Sequence, residues 1–318
     1  MSGPTVLLWL DAAAVYQHAA ERAGLSPKVD LVTLGGRDVP DPSLLARVDA
    51  LLAWRVPPGT LAHAPRLRWI QALTAGVEGW LDRPDLAPEV TLTCARGTHR
   101  VQMPENILAA LFHLTKPFAA ASLDQRESRW TSRVSTPLAG KTLGILGLGA
   151  VGREVARKAA ALDLTVIGTR LRSGPVPHVT QVFGPEATDT VLGRADFVLL
   201  LLPVTGETRD LIDRRRLSAM RPEAYLLNFA RGALVVDADL VAAVRSGTIA
   251  GAVLDVFRTE PLPPEHPFWT TPGITVLPHL GGLHPARDEQ VARLFVDNLT
   301  RFVAGEPLAE VVDRKRGY

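Results

Sequence analysis

The sequence is poor in cysteine, in long apolar runs and in net charge, and each scarcity excludes a class of protein. Cys94 is the only cysteine, which excludes an internal disulfide and leads us to expect a cytoplasmic protein. No apolar run reaches the roughly eighteen residues of a membrane-spanning helix, so we predict no association with a membrane. The formal net charge is only +2, which argues against a nucleic-acid partner.

The chain contains enough apolar material for two domains. It has 318 residues, of which 47% are hydrophobic, and shows no solenoid repeat or low-complexity stretch. The first ten residues lack a basic stretch followed by a cleavable apolar segment, so we predict no secretion signal. We also predict no metal site. These features indicate a globular protein with two cores.

One stretch, residues 143–152 (LGILGLGAVG), organises the rest of the chain. An apolar strand precedes a glycine turn, and an alanine-rich helix follows from about residue 150 to 161. Gly147 permits the tight turn, Gly149 lets the backbone approach a pyrophosphate, and Gly152 lets the helix pack against the strand. The pattern predicts a dinucleotide-binding site at a helix N-terminus. The alternative is a plain strand–helix turn.

Apolar segments alternate with helical patterns both before and after this stretch. We predict early strands at residues 5–9, 29–34, 50–54, 67–73 and 90–94, and later strands at 142–147, 164–168, 197–202, 224–229, 251–256 and 274–277. Continuous apolar runs such as residues 197–202 are typical of parallel strands that helices cover on both faces. Two long helices are predicted at residues 104–121 and 285–304.

The alternation predicts an α/β fold with two open parallel-sheet domains. A Rossmann dinucleotide-binding domain, residues 101–284, is expected to be inserted into a flavodoxin-like substrate domain. The first part of that substrate domain is residues 1–100. The C-terminal helix and tail, residues 285–318, are expected to return to it.

Three polar residues follow successive predicted strands of the second domain. Arg231, Glu260 and His279 each come at a strand's carboxyl end, where open parallel sheets bind their ligands. An imidazole changes protonation near neutral pH, so His279 can protonate an alkoxide, with Glu260 orienting the ring. Arg231 can bind a substrate carboxylate in a bidentate fork. Singly, each could equally be an ordinary loop residue.

Several stretches together form a more specific pattern: residues 144–149 (GILGLG), 201–203 (LLP) with Thr205 and Thr208, 228–232 (NFARG), 251–257 (GAVLDVF) with 260–262 (EPL), and 278–282 (PHLGG). In these the chain resembles the D-isomer-specific 2-hydroxyacid dehydrogenase family over nearly its whole length. Within the family it is most similar to glyoxylate/hydroxypyruvate reductases. The resemblance implies hydride transfer between NAD(P)H and a small 2-oxo acid, giving the D-2-hydroxy acid.

The resemblance also implies which residues bind. Arg231, Glu260 and His279 would be catalytic, and the substrate contacts would be Arg55, Leu73, Ala75, Gly76, Arg231 and His279, with Ala75 and Gly76 offering backbone N–H groups to the carboxylate. We expect the pocket for the substrate's side chain near Trp54, Arg55 and Leu73. The predicted cofactor contacts are Gly147, Gly149, Ala150, Val151, Gly152, Thr169, Arg170, Leu202, Pro203, Thr208, Phe229, Ala230, Arg231, Asp255, His279, Gly281 and Gly282.

The sequence departs from the NAD-binding pattern after the second strand of the dinucleotide domain. An NAD enzyme should present an acid to the ribose there, but residues 169–172 read TRLR. Arg170 could instead pair with a 2′-phosphate, so we predict NADP as the preferred cofactor, with NAD as the other possibility. The alternative is a solvated Arg170, with a backbone group holding the ribose.

Two other functions remain possible from the sequence. One is an NAD-linked relative acting on another acid, such as phosphoglycerate, formate or phosphite. The other is a non-catalytic NAD(P)-sensing protein, although a pure sensor need not keep Arg231, Glu260 and His279. The resemblance further implies a homodimer, for which the apolar face of the helix at residues 104–121 is a candidate interface. Ordinary core packing explains that face equally well.

Overall fold

The computed structural model describes residues 3–172 and 174–317, so Met1, Ser2 and Tyr318, at the ends of the predicted domains, lie outside the described residues. The chain divides into two compact units. The first unit is Met1–Thr98 with His284–Tyr318, and the second is His99–Leu283. The second unit is therefore inserted between two segments of the first. The domain boundaries that the sequence suggests, after residues 100 and 284, stay a prediction.

The first unit is built on a five-stranded parallel sheet. Its elements in chain order are β1 (Thr5–Trp9), α1 (Ala13–Arg22), β2 (Asp30–Leu34), α2 (Pro42–Leu45), β3 (Val48–Ala53), β4 (Trp69–Ala72), α3 (Glu78–Leu81) and β5 (Thr91–Thr93). The strand order β2-β1-β3-β4-β5 is the flavodoxin-like order.

Both faces of this sheet are packed, as its continuous apolar strands predict. Leu7 and Trp9 of β1 contribute to one hydrophobic cluster, whereas Val6 and Leu8 contribute to another. All of them are at most 5% exposed. Alternate side chains of a strand point to opposite faces, so both clusters draw on the same short run of sequence.

The second unit is built on a seven-stranded parallel sheet. Its elements are α4 (Gln102–Thr115), α5 (Phe118–Arg126), β6 (Thr142–Leu146), α6 (Ala150–Ala160), β7 (Thr165–Thr169), β8 (Gln181–Phe183), α7 (Thr188–Arg194), β9 (Phe197–Leu200), α8 (Arg214–Ser218), β10 (Tyr225–Asn228), α9 (Asp237–Arg245), β11 (Gly251–Leu254) and β12 (Ile274–Val276). The order β12-β11-β10-β9-β6-β7-β8 contains the Rossmann order with one added strand. The predicted α/β class with two open parallel sheets is confirmed.

The C-terminal segment completes the first unit. It consists of α10 (Arg287–Ala304) and a tail that bonds to β5. The backbone N–H of Cys94 donates to the Glu310 carbonyl at 3.1 Å, and the N–H of Val312 donates to the Leu92 carbonyl at 2.9 Å. Across residues 3–172 and 174–317, every helix is too short or too polar to span a bilayer.

The prediction of a single helix at residues 104–121 is wrong, because the structure has two helices there, α4 and α5. α4 ends at Thr115, and Lys116 has extended backbone angles (φ −118°, ψ 135°). The cause is Pro117, whose ring disfavours the helical conformation of the preceding residue. Ile107 and Leu111, on the apolar face of α4, are fully buried in the unit's own core. Core packing therefore accounts for Ile107 and Leu111, whereas Phe112 on the same helix is 37% exposed.

Candidate active site

The glycine turn after β6 combines a positive φ angle, a close contact with α6 and one open side. Gly147 has φ +111°, and a Cβ there would lie 2.7 Å from the Leu201 carbonyl oxygen. A Cβ on Gly152 would lie 2.4 Å from the Gly147 carbonyl oxygen, so any side chain would push α6 off the turn. A Cβ on Gly149, in contrast, would meet nothing within 4 Å. The space beside Gly149 is therefore open to a ligand.

The first turn of α6 leaves donors available beside this space. Its first intrahelical hydrogen bond runs from the Arg153 N–H to the Gly149 carbonyl at 3.1 Å. The N–H groups of Ala150, Val151 and Gly152 precede it and have no acceptor among the described residues. Such N–H groups, with the positive end of the helix dipole, suit the phosphates of a dinucleotide. The residues present therefore fit a bound pyrophosphate.

The turn after β7 is basic, and residues 169–172 (TRLR) contain no acid. Thr169 is buried, and the N–H of Arg170 donates to the Phe183 carbonyl of β8 at 3.0 Å. The Arg170 side chain is half-buried, whereas Leu171 and Arg172 are exposed. A guanidinium is therefore the charged group that this turn offers.

Other predicted cofactor residues lie in loops that follow strands of the same sheet. After β9, the Thr208 hydroxyl donates to the Pro203 carbonyl at 2.7 Å, and the Thr205 N–H donates to the Thr208 hydroxyl at 2.8 Å. Leu202 is half-buried in the same loop. These bonds close the loop on itself. Phe229 and Ala230, which follow β10, are both buried.

The structure brings His279 and Glu260 into direct contact at the carboxyl ends of β12 and β11. His279 Nδ1 lies 2.6 Å from Glu260 Oε2. The other oxygen, Oε1, accepts the N–H of Phe257 at 2.8 Å. The imidazole is 52% exposed, and its Nε2 atom makes no hydrogen bond with the described residues. The pair can therefore hold a proton at Nε2 and present it to a ligand.

Arg231 lies at the end of the neighbouring strand, β10, where buried contacts fix its backbone. Asn228, which is 1% exposed, donates from Nδ2 to the Arg231 carbonyl at 2.9 Å. The next residue, Gly232, packs directly on the backbone that leads to Glu260. A Cβ on Gly232 would lie only 2.0 Å from the Phe257 carbonyl carbon. The loops that carry Arg231 and Glu260 are therefore in van der Waals contact.

Asp255 fixes the His279 loop, a role that the sequence analysis did not assign to it. This carboxylate is 1% exposed and accepts the N–H of Leu280 at 2.6 Å and the N–H of Gly281 at 2.9 Å. Burial raises the pKa of Asp255, although the two N–H donors and His279 oppose the shift. His279 itself has φ +53°, a left-handed conformation that few side chains adopt. The Asp255 bonds follow immediately and hold the loop in place.

The predicted substrate residues of the first unit lie after β3 and β4. The Thr74 hydroxyl donates to the Gly76 carbonyl at 2.6 Å, and the Thr74 carbonyl accepts the N–H of Ala95 at 2.9 Å. The N–H groups of Ala75 and Gly76 have no acceptor among the described residues. The Arg55 side chain is exposed, whereas Leu73 is fully buried. The loop after β4 thus offers two adjacent backbone donors.

Comparison with protein families and curated proteins gives consistent matches. Residues 108–281 match the family described as "D-isomer specific 2-hydroxyacid dehydrogenase, NAD binding domain". The chain is 34% identical over 278 residues to glyoxylate/hydroxypyruvate reductase A of Serratia proteamaculans, covering 85% of this chain and 88% of that protein. It is 33% identical over 279 residues to the reductase of the same name from Yersinia enterocolitica, with the same coverage.

Solved structures share the fold over almost the full length. A D-isomer specific 2-hydroxyacid dehydrogenase from Xanthobacter autotrophicus, in complex with NADPH and MES, has a TM-score of 0.87 at 33% identity and covers 100% of both chains. An NADPH-dependent glyoxylate/hydroxypyruvate reductase from Sinorhizobium meliloti, in complex with NADP and sulfate, has a TM-score of 0.83 at 29% identity. It covers 99% of this chain and 100% of its own.

Proposed function

We propose that this chain, which belongs to the D-isomer specific 2-hydroxyacid dehydrogenase family, reduces small 2-oxo acids such as glyoxylate and hydroxypyruvate to D-2-hydroxy acids with NADPH. The observation that carries the proposal is the 2.6 Å contact between His279 Nδ1 and Glu260 Oε2. It is supported by the open glycine turn at the same edge of the same sheet. The reductases that match over 85% of the chain point to the same substrate class.

The glycine turn and the loops that follow it are the proposed cofactor site. The N–H groups of Ala150, Val151 and Gly152 would hold the pyrophosphate, and Arg170 would face the adenosine ribose. When bound there, the nicotinamide supplies a hydride to the carbonyl carbon of the substrate. The sheet's role is to bring this site and the catalytic loops to one edge, since all seven strands run parallel.

His279 is the proposed general acid. Reduction turns the carbonyl oxygen into an alkoxide, which takes the proton from Nε2 of the imidazolium. Glu260 stabilises the imidazolium and keeps the proton on Nδ1 directed to itself, so Nε2 is the nitrogen left for the substrate. In the reverse direction, the same nitrogen accepts the proton of the hydroxy acid.

Arg231 is the proposed carboxylate and carbonyl ligand. A guanidinium offers two parallel N–H donors to a carboxylate and cannot lose its charge at physiological pH. The N–H groups of Ala75 and Gly76, which have no acceptor among the described residues, are further donors that we propose for a carboxylate. A carboxylate with charge-assisted bonds to such groups is bound more tightly than a neutral analogue, which favours acids over aldehydes.

Arg170 is the basis for proposing NADPH over NADH. A 2′-phosphate gives the guanidinium charge-assisted bonds that a 2′-hydroxyl does not. The relatives from X. autotrophicus and S. meliloti were solved with NADPH or NADP, which supports the same choice. The single cysteine, Cys94, is buried and free, in keeping with the cytoplasmic location proposed for the protein.

A homodimer is the proposed assembly. Four large apolar side chains are exposed along α5 and the segment that follows it: Phe118, Leu123, Trp130 and Val134. Trp130 is 98% exposed, which is unusual for a large aromatic side chain. Sedimentation of the purified chain at micromolar concentration tests the assembly, and a monomer there would contradict it.

The decisive experiment is a substrate panel with each cofactor. Absorbance loss of NADPH and of NADH is followed with glyoxylate, hydroxypyruvate, pyruvate and phosphohydroxypyruvate. We expect turnover of the first two with NADPH. A preference for the phosphorylated acid with NADH would favour the phosphoglycerate-type alternative. Tight NADPH binding without turnover of any acid would favour the sensor.

A further inference from the structure

Three parallel strands of the second unit, β9, β10 and β11, are adjacent, so the connections that follow them begin at one edge of the sheet. These connections are residues 201–213, 229–236 and 255–273. We call them the first, second and third connections. The second carries Arg231, and the third carries Glu260. The way in which the third connection is held against the other two therefore decides where Glu260 lies.

Arg258, in the third connection, contacts both of the others and has no role in the proposed mechanism. Its Nε atom donates to the Val235 carbonyl of the second connection at 3.0 Å, and Nη2 donates to the same carbonyl. Nη2 also donates to Asp210 Oδ1, in the first connection. The carboxylate of Asp237, at the start of α9, lies 3.5 Å from Nε. One guanidinium thus links all three connections.

The first and second connections are also joined to each other by backbone hydrogen bonds. The N–H of Asp210 donates to the Ala233 carbonyl at 2.9 Å. The N–H of Val236 donates to the Ile212 carbonyl at 3.0 Å. Arg258 is therefore anchored on two segments that already hold each other in place.

The bonding pattern of Arg258 suits a side chain that fixes a backbone position. An ion pair between two exposed side chains contributes little, because both partners can move apart. Arg258 is only 33% exposed, and one of its acceptors is the backbone carbonyl of Val235. A guanidinium also keeps its charge at any physiological pH and donates in one rigid plane. These contacts therefore restrain the backbone at residue 258.

This restraint acts on the segment that both supports and carries the Glu260 carboxylate. The N–H of Phe257 donates to Glu260 Oε1 at 2.8 Å, and Arg258 is the next residue after that donor. Glu260 Oε2 in turn lies 2.6 Å from His279 Nδ1. A shift of residues 257–260 would move the carboxylate relative to the imidazole.

We propose that Arg258 is a positioning residue, which holds residues 257–260 against the second connection and so keeps Glu260 in contact with His279. The inference rests on the proposed 2-oxo acid reductase function and adds a residue to its proton-transfer site. Arg258 itself touches neither the substrate nor the cofactor. Its loss therefore slows the chemical step, through the orientation of the imidazole, and leaves ligand binding unchanged.

The first test is Arg258→Met, which keeps a long apolar side chain and removes the charge and the donors. With saturating NADPH and glyoxylate, we expect kcat to fall about ten-fold, since a small displacement of a group that orients the general acid slows the chemical step. The KM for glyoxylate and the Kd of NADPH, from fluorescence titration, should stay within about two-fold of the wild-type values.

Arg216→Met is the matched control for the loss of an arginine with similar contacts. Arg216 is 26% exposed. Its Nη1 donates to the Leu211 carbonyl at 2.9 Å, and its Nε donates to Asp189 Oδ1 at 3.1 Å. Neither partner lies in the connections that carry Arg231 or Glu260. Arg216→Met should lower the melting temperature about as much as Arg258→Met does and should leave kcat unchanged.

A double variant separates positioning from a general effect on stability. If Arg258 acts through the contact of Glu260 with His279, then adding Arg258→Met to Glu260→Gln should change kcat by no more than about two-fold. Independent effects would multiply and lower kcat about ten-fold further. Arg258→Lys serves if Arg258→Met does not fold. It keeps the charge but lacks the planar fork, so kcat should fall only about three-fold.

Several results would overturn the proposal. These are an unchanged kcat in the Arg258 variants, an equal loss of kcat in Arg216→Met, and multiplied losses in the double variant. A higher Kd of NADPH with an intact kcat would also overturn it, because Arg258 would then support cofactor binding. If the wild type reduces none of the 2-oxo acids, both proposals fail. If it reduces them and the Arg258 variants keep its kcat, only the Arg258 proposal fails.

Discussion

Glu260 holds His279 through one carboxylate oxygen and is itself held through the other. Oε2 lies 2.6 Å from His279 Nδ1, while Oε1 accepts the Phe257 N–H at 2.8 Å. The backbone bond fixes where the carboxylate sits, and the carboxylate in turn fixes which imidazole nitrogen faces it. This leaves His279 Nε2 for a ligand and makes the pair suited to proton transfer.

Replacing the proposed acid should affect turnover more than binding. We expect His279→Gln to lower kcat by roughly 10²–10⁴, the usual contribution of a positioned general acid. The Kd of NADPH, measured by fluorescence titration, should remain close to that of the wild type. Near-normal turnover in this variant would remove His279 from the mechanism.

Replacing the carboxylate should lower the rate of turnover. In Glu260→Gln, His279 Nδ1 loses the carboxylate oxygen that lies 2.6 Å from it. We expect kcat to fall by roughly ten- to a hundredfold, because one hydrogen bond to a charged group contributes about 1.5–3 kcal/mol. The Kd of NADPH should stay close to that of the wild type, and an unchanged kcat would contradict the pairing.

Replacing Arg170 should change the choice of cofactor. We expect the wild type to favour NADPH over NADH in kcat/KM by roughly ten- to a hundredfold, the factor that one charge-assisted hydrogen bond can supply. Arg170→Ala should remove most of this preference by weakening NADPH alone. Arg172 lies in the same turn but is exposed. Arg172→Ala should therefore reduce the preference for NADPH by a smaller factor, and this factor should decrease as the salt concentration rises. An Arg170→Ala variant with unaltered preference would refute the interpretation of this turn.

The free energy of unfolding should depend on pH through the buried carboxyl group of Asp255. Its pKa is raised in the folded protein, so the folded state binds the proton more tightly than the unfolded state does. The stability that this proton contributes is complete below the ordinary value of 3.8 and is lost as pH rises through the raised pKa. Asp255→Asn has no carboxyl at this position, so its stability should not fall with pH for this reason.

The unfolding free energy of the wild type minus that of Asp255→Asn should therefore have its highest value near pH 4 and should fall as pH rises toward neutral. Denaturant unfolding at several pH values measures it. Asp297→Asn, at an exposed ion pair with Arg301, is the control and should not show this trend. If the wild type instead gained stability relative to Asp255→Asn as pH rose, the carboxyl would be stabilised in its charged form, contrary to this prediction.

Local features of the sequence were sufficient to predict much of the fold. The glycine spacing at Gly147, Gly149 and Gly152 predicts a strand, a turn and a helix within ten residues, and these are the elements observed. The break at Pro117 was also readable, since proline restricts the residue before it, but the apolar periodicity across residues 104–121 favoured one continuous helix. Strand β8 (QVF) was missed because it has three residues and begins with a polar one, Gln181, so no apolar run marks it.

The sequence by itself determined the α/β class, the glycine turn after β6 and the loops that bear Arg231, Glu260 and His279, because each follows from residues near one another in the chain. Only the tertiary structure decided which side chains meet. Asp255 bonds to the Leu280 and Gly281 N–H groups, and Arg287 to the Leu73 carbonyl, because sheet register and helix packing bring together residues far apart in sequence. No local pattern encodes such a pairing, since it depends on the whole sheet having formed.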